Sequence, residues 1–131
     1  MCMSQPRLLV IDDEPALADF VAQVANDCGF VTTLTSDDNS FREAFAGERP
    51  DMVVLDLGMP GMDGVELLRF LATQENRAPV LIISGFDRRV LEAAFRLGQA
   101  LGLKMLGPLE KPVRAGDLEQ VLTDVRPGLV E

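Results

Sequence analysis

The chain predicts an α/β fold: a doubly wound parallel sheet of five strands, each followed by a helix. Three observations predict it. Short, continuous apolar runs alternate with stretches of helical periodicity. The apolar runs are too short for helices and lack the in–out alternation of a half-solvated strand, so they read as strands covered on both faces. Turn residues and helix-start residues stand at nearly every junction.

The elements follow in order. Arg7-Leu8-Leu9-Val10-Ile11 is the first buried strand. Pro15 suits a first helical turn, and Leu17, Phe20, Val21, Val24 and Ala25 line one face, with Gly29 as the stop. Phe30 to Leu34 is a more alternating strand. Asp38 to Ala46 is a short helix with Phe41, Ala44 and Phe45 inward, and Gly47 ends it. Asp51 to Leu55 is the third strand. A turn-rich loop follows, from Gly58 through Met59-Pro60-Gly61-Met62-Asp63 to Gly64. Val65, Leu67, Leu68, Phe70 and Leu71 make the third helix. Val80 to Ile83 is the fourth strand, stopped by Ser84-Gly85. Asp87 is placed to cap a helix running to Gln99, with Val90, Leu91, Ala94, Phe95 and Leu97 as its apolar positions. Met105 to Leu109 is the fifth strand, and Pro108 within it predicts an edge position, since proline cannot donate to a ladder. Asp117 to Val125 is the last helix.

Bulk properties narrow the function. The 131 residues suit one domain, with its core over about 6–126 and 127–131 as a tail or severed linker. Net charge is -9, which repels nucleic-acid phosphates and anionic membrane surfaces, so neither is expected as a direct partner. No apolar run approaches the ~20 residues of a membrane span, and the N-terminus lacks the layout of a signal peptide. Cys2 and Cys28 make no disulfide framework, so a cytoplasmic setting is expected. There is no histidine. That excludes Ser-His-Asp and Cys-His catalysis, and it excludes the chain as a histidine phosphodonor.

The chemistry gathers on one rim. Ligands of open α/β sheets bind beyond the carboxyl ends of the strands, where the strand order reverses. In a flavodoxin-like order, 2-1-3-4-5, that point lies between strands one and three. Asp12 and Asp13 end strand one, Asp56 ends strand three, Ser84 ends strand four and Lys111 follows strand five. Clustered carboxylates suit Mg²⁺, a hard cation that prefers oxygen ligands. Lys111 offers a point charge and Ser84 a hydroxyl to a phosphoryl oxygen. A carboxylate can itself accept a phosphoryl group. Taken singly, these residues read more blandly. Asp13 alone reads as a helix cap, Glu14, Asp37 and Asp38 as caps or solvated acids, and Ser84-Gly85 as a turn. Their convergence on one rim is what the bland reading leaves unexplained.

Val10-Ile11-Asp12-Asp13-Glu14-Pro15, Asp56-Leu57-Gly58-Met59-Pro60-Gly61-Met62-Asp63-Gly64, Ile83-Ser84-Gly85 and Lys111-Pro112 stand in this order along essentially the whole chain. With them the chain resembles the response-regulator receiver domain of two-component signalling. The resemblance implies Asp56 as phosphoacceptor. It implies Asp13 as a direct Mg²⁺ ligand, Asp12 as one acting mainly through water, and the carbonyl of Gly58 as a further ligand. Lys111 would contact the phosphoryl group and Ser84 would be the switch hydroxyl. The implied partner is a sensor histidine kinase or phosphotransfer protein. A homodimer and a downstream effector domain or protein are compatible further partners. The output would be a changed surface around strands four and five and helix four.

Two departures from the family pattern stand out. Pro108 occupies the position, three before the lysine, where the family usually carries an aromatic residue. Ser84 and Lys111 stand 27 positions apart, which predicts an extended fourth helix or following loop. The stretch from Gly85 to Pro112 is similar to receivers found ahead of EAL-type cyclic-di-GMP phosphodiesterase domains. No such effector lies in this sequence, so the chain reads as stand-alone or excised. In this family the side chains two after the acceptor and two after the switch hydroxyl influence hydrolysis. Here they are Gly58 and Phe86, so a long-lived aspartyl phosphate is expected. The rival readings are a degenerate receiver used only as an interaction module, and a small Mg²⁺-dependent phosphatase of the haloacid type. The latter wants an Asp-x-Asp with a nearby Thr, which Asp12-Asp13-Glu14 does not supply.

Overall fold

The computed structural model describes residues 5–58, 64–85 and 88–129. Five parallel strands run β1 (Arg7–Ile11), β2 (Val31–Thr35), β3 (Met52–Asp56), β4 (Val80–Ser84) and β5 (Met105–Glu110). The helices between and after them are α1 (Pro15–Asp27), α2 (Asp38–Gly47), α3 (Gly64–Thr73), α4 (Arg88–Ala100) and α5 (Ala115–Val125). The sheet order is β2-β1-β3-β4-β5, the flavodoxin-like order expected from the sequence.

Each strand of the sheet centre has two apolar faces, and helices cover both. Leu9, Ile11, Val53, Leu55, Val80 and Ile82 pack under α2, α3 and α4, against Phe41, Phe45, Leu67, Leu71 and Leu91. Their neighbours Leu8, Val10, Met52, Val54, Leu81 and Ile83 face the other way, against Val21, Val24, Ala25, Leu118 and Leu122 of α1 and α5. The period-2 alternation of a strand thus explains why β1, β3 and β4 are continuously apolar. Strand β2, at the edge, is largely exposed apart from Thr35, which fits its mixed sequence.

Local signals explain most boundaries. Pro15 opens α1, and Gly29 follows its end with φ +91°, where a Cβ would also meet the Arg126 guanidinium. Asp37 caps α2 by accepting from the Ser40 N–H, which holds its carboxyl below the ordinary value. Pro108 lies on an edge strand, as expected. The β4–β5 register shifts between Leu81 and Ile83, so β5 carries one residue more than the other strands. The long Ser84–Lys111 interval is filled by the 13-residue α4, a turn, and this irregular strand.

Some expectations need correction. The N-cap of α1 is Glu14, not Asp13, and its side chain makes no capping hydrogen bond. Val90 is 56% exposed, because the buried stripe of α4 runs through Leu91, Ala94 and Gly98 instead. Arg126–Gly128 forms a 3-10 turn, and Leu129 packs on the α1/α5 core, where a tail was expected. Asp87 and the loop residues 59–63 lie outside the described residues, as do Cys2 and Phe86.

Candidate functional site: an acidic rim with one lysine

Strand register builds the site. Ile11 pairs with Leu55, so Asp12 comes level with Asp56 one residue later. Asp56 pairs with Ile83, and Ser84 with Glu110, so Ser84 and Lys111 each stand one step further along. Backbone bonds extend the ladder past the strand ends. Asp12 N donates to Thr35 O at 3.0 Å, Leu57 N to Ile83 O at 2.9 Å, and Lys111 N to Ser84 O at 2.9 Å. The sheet therefore delivers Asp12, Asp56, Ser84 and Lys111 to one rim.

Asp56 is 1% exposed and fully engaged. Its Oδ1 accepts from the Gly58 N–H at 2.9 Å and its Oδ2 from Lys111 Nζ at 3.0 Å. Asp12, 4% exposed, accepts from the Glu14 N–H at 2.9 Å through Oδ1. Ser84 is buried beside them. Asp13 and Glu14 are exposed at the mouth. Lys111 also donates to Glu14 Oε1 at 2.6 Å, and its stem lies over Gly85, where an added Cβ would sit 3.3 Å from Lys111 Cδ.

Carboxylate oxygens of Asp12, Asp13, Glu14 and Asp56 all lie within 4.8 Å of one another. The electrostatics reflect that crowding. Burial, opposed by the Glu14 N–H bond and reinforced by the hydrogen bond and charge of Asp56, pushes the Asp12 carboxyl up to about 7. Burial would lower the Lys111 ammonium, but its bonds to Glu14 and Asp56 win, and its pKa is raised. An all-oxygen donor set with excess negative charge fits a hard divalent cation such as Mg²⁺.

The structure thus brings together Asp12, Asp13, Asp56, Ser84 and Lys111, with Gly58 donating into the site. Sequence reasoning missed the Glu14–Lys111 contact. The only signal for it was an acid beside the acidic pair. A cavity of about 570 Å³ lies at the opposite end of the sheet, lined by Arg49, Arg77, Lys104 and Leu129 among others, far from this chemistry.

Residues 8–123 match the response regulator receiver domain. The chain belongs to the receiver domain family. It is 35% identical over 106 residues to the transcriptional regulatory protein FixJ of Bradyrhizobium diazoefficiens, covering 81% of this chain and 49% of that protein. It is 30% identical over 129 residues to the positive alginate biosynthesis regulatory protein of Pseudomonas aeruginosa, covering 95% of this chain and 49% of that one. The receiver chain thus spans about half the length of these two relatives. A response regulator from Colwellia psychrerythraea superposes with a TM-score of 0.80 at 27% identity, covering 95% of this chain and 99% of that chain. Receiver domains are signalling switches of two-component systems, not classical enzymes. No helix among the described residues is long and apolar enough to cross a membrane.

Proposed function

We propose that this receiver domain is a phosphoacceptor switch in which Asp56 takes a phosphoryl group from a partner histidine kinase. The observation that carries the reading is the ammonium of Lys111 set 3.0 Å from a buried carboxylate amid three further acids among the described residues. A carboxylate oxygen of Asp56 attacks phosphorus, the P–N bond to the donor imidazole breaks, and the imidazole leaves. Lys111 offsets the negative charge that arrives, and the Gly58 N–H orients the acceptor. Ser84, at the next step of the rim, supplies a hydroxyl to a phosphoryl oxygen.

Asp12, Asp13, Asp56 and the carbonyl of Gly58 would hold Mg²⁺. A bound divalent cation would supply charge neutralisation for the transferring group. The charged state then changes the surface of β4, β5 and α4, which a downstream effector or a second copy reads. A cytoplasmic setting, with no direct nucleic-acid or membrane contact by this domain, accords with the charge of -9. Pro108 favours one second reading, a receiver that binds partners without phosphorylation, because proline has no side chain to swing on β5.

Incubation with Mg²⁺ and a small phosphodonor, followed by intact mass, tests the proposal. One added phosphoryl group, absent in Asp56→Asn and absent with chelator, is the expected result. A folded protein that gains no mass with any donor supports the interaction module.

A further inference from the structure

Lys111 is divided between two acceptors of different character. The Asp56 side chain is 2% exposed, and its other oxygen is held by the Gly58 amide. The Glu14 side chain is 59% exposed. Glu14 occupies the N-cap position of α1 yet caps nothing with its side chain. Pro15 has no N–H to satisfy, and the Glu14 N–H goes to Asp12. The Glu14 carboxylate instead crosses to a lysine 97 positions later and makes the shorter of the two contacts, 2.6 Å against 3.0 Å.

We propose that Glu14 is a positioning residue that holds Lys111 in the resting state and must yield it to the phosphoryl group. The proposal rests on Asp56 being the phosphoacceptor. An ammonium has three N–H donors. One goes to Asp56, and Glu14 takes another with a charge-assisted bond. When an acyl phosphate reacts, an Asp56 oxygen bonds to phosphorus, the bond from phosphorus to the acyl oxygen breaks, and the carboxylate leaves. The new phosphoryl oxygens then compete with Glu14 for the same ammonium, and the two anions repel. Asp56 cannot retreat, because it is buried on a strand. Glu14 can, because its side chain opens to water. Glu14 therefore raises the donor concentration needed for phosphorylation without taking part in bond making.

Glu14 as a direct cation ligand is the competing role. Its carboxylate does fall within the 4.8 Å cluster. Its Oε1 is already engaged by the Lys111 ammonium at 2.6 Å, and the carboxylate opens to water rather than into the buried pair.

The experiment compares wild type with Glu14→Gln, Glu14→Ala and Glu14→Asp. Initial phosphorylation rates by acetyl phosphate are followed by intact mass at saturating Mg²⁺, in low and high salt. Mg²⁺ affinity is measured by calorimetry, and folding by thermal melts. Removing one unit charge near the site should lower KM for acetyl phosphate roughly three- to tenfold at low salt, leaving kcat nearly unchanged. The gain should shrink as salt rises, since Glu14 is exposed. Mg²⁺ affinity should fall only by the modest factor that loss of one nearby charge imposes, without slowing phosphorylation at saturating Mg²⁺, and Glu14→Asp, which keeps the charge, should stay near wild type. A Gln variant with wild-type KM at low salt overturns the proposal, as does a Gln variant with weakened Mg²⁺ binding and slower phosphorylation. Wild type that is folded yet never phosphorylated overturns the Asp56 reading and this one with it. Phosphorylated wild type with an indifferent Gln variant overturns only the role of Glu14.

Discussion

Asp12 and Asp56 end neighbouring strands side by side, both buried, and the pair does not carry two full charges at neutral pH, because Asp12 titrates at about 7. An unfolded Asp titrates near 3.8. Between these values the folded chain binds a proton that the unfolded chain lacks. Stability from this group is therefore fully present below 3.8 and lost as pH rises through about 7. In chelator, the Tm should fall across that window, and Asp12→Asn should flatten the slope. Mg²⁺ should reverse the trend, since it binds the deprotonated pair and its affinity weakens below about 7. An unchanged slope in Asp12→Asn, followed by melts at several pH values, sinks this account.

Lys111→Ala should lower the phosphorylation rate by on the order of 10- to 100-fold, as loss of a charge-assisted contact does. It also leaves Asp56 buried without its cation, at a cost of about 1–3 kcal/mol in the metal-free protein. Mg²⁺ should restore much of that stability and little of the rate. Chemical denaturation with and without Mg²⁺ separates the two effects. Lys111→Arg should not rescue the rate, because a planar fork cannot reproduce a compact ammonium between Glu14 and Asp56.

Gly98 lies on α4, where an added Cβ would run into the Met105 side chain. Helix propensity favours Ala there by about 1 kcal/mol, whereas overpacking costs about 1–3 kcal/mol. Gly98→Ala should therefore destabilise slightly in wild type and stabilise in a Met105→Ala background. A double-mutant cycle in urea reads the sign change; equal effects in both backgrounds would show that α4 does not rest on Met105.

The phosphorylated protein should persist for minutes or longer once the donor is removed, because Gly58 has no side chain to orient the attacking water. Gly58→Asn should shorten the lifetime by roughly tenfold, the low end of what positioned polar groups contribute. Loss of the added mass with time measures both. A wild-type lifetime of seconds contradicts the expectation.

The fold was legible where burial was two-sided. Met52 to Leu55 and Val80 to Ile83 are continuous apolar runs because both faces are covered, and so they announce themselves. Val90 misled because helical spacing marks a face but not its limits, and α4 turns that residue outward. The acidic rim was legible because strand ends are defined by sequence, and register carries them to one level. The Glu14–Lys111 bond was not, because two exposed-type side chains meeting across 97 positions leave no periodic trace. Nor could the docking of Leu129 be read, since a Pro-Gly pair looks the same in a packed turn and in a linker.

The two margins of the sheet differ in a way that bears on self-association. A parallel edge strand offers unpaired N–H and C=O groups to any extended chain that drifts past. On β5, Pro108 withholds one donor and the irregular register bends the row. Strand β2 has neither defence, and it exposes Val31 and Leu34. Strand addition, in a concentrated or partly opened population, should therefore begin at β2, and a single charged residue in place of Val31 should suppress it.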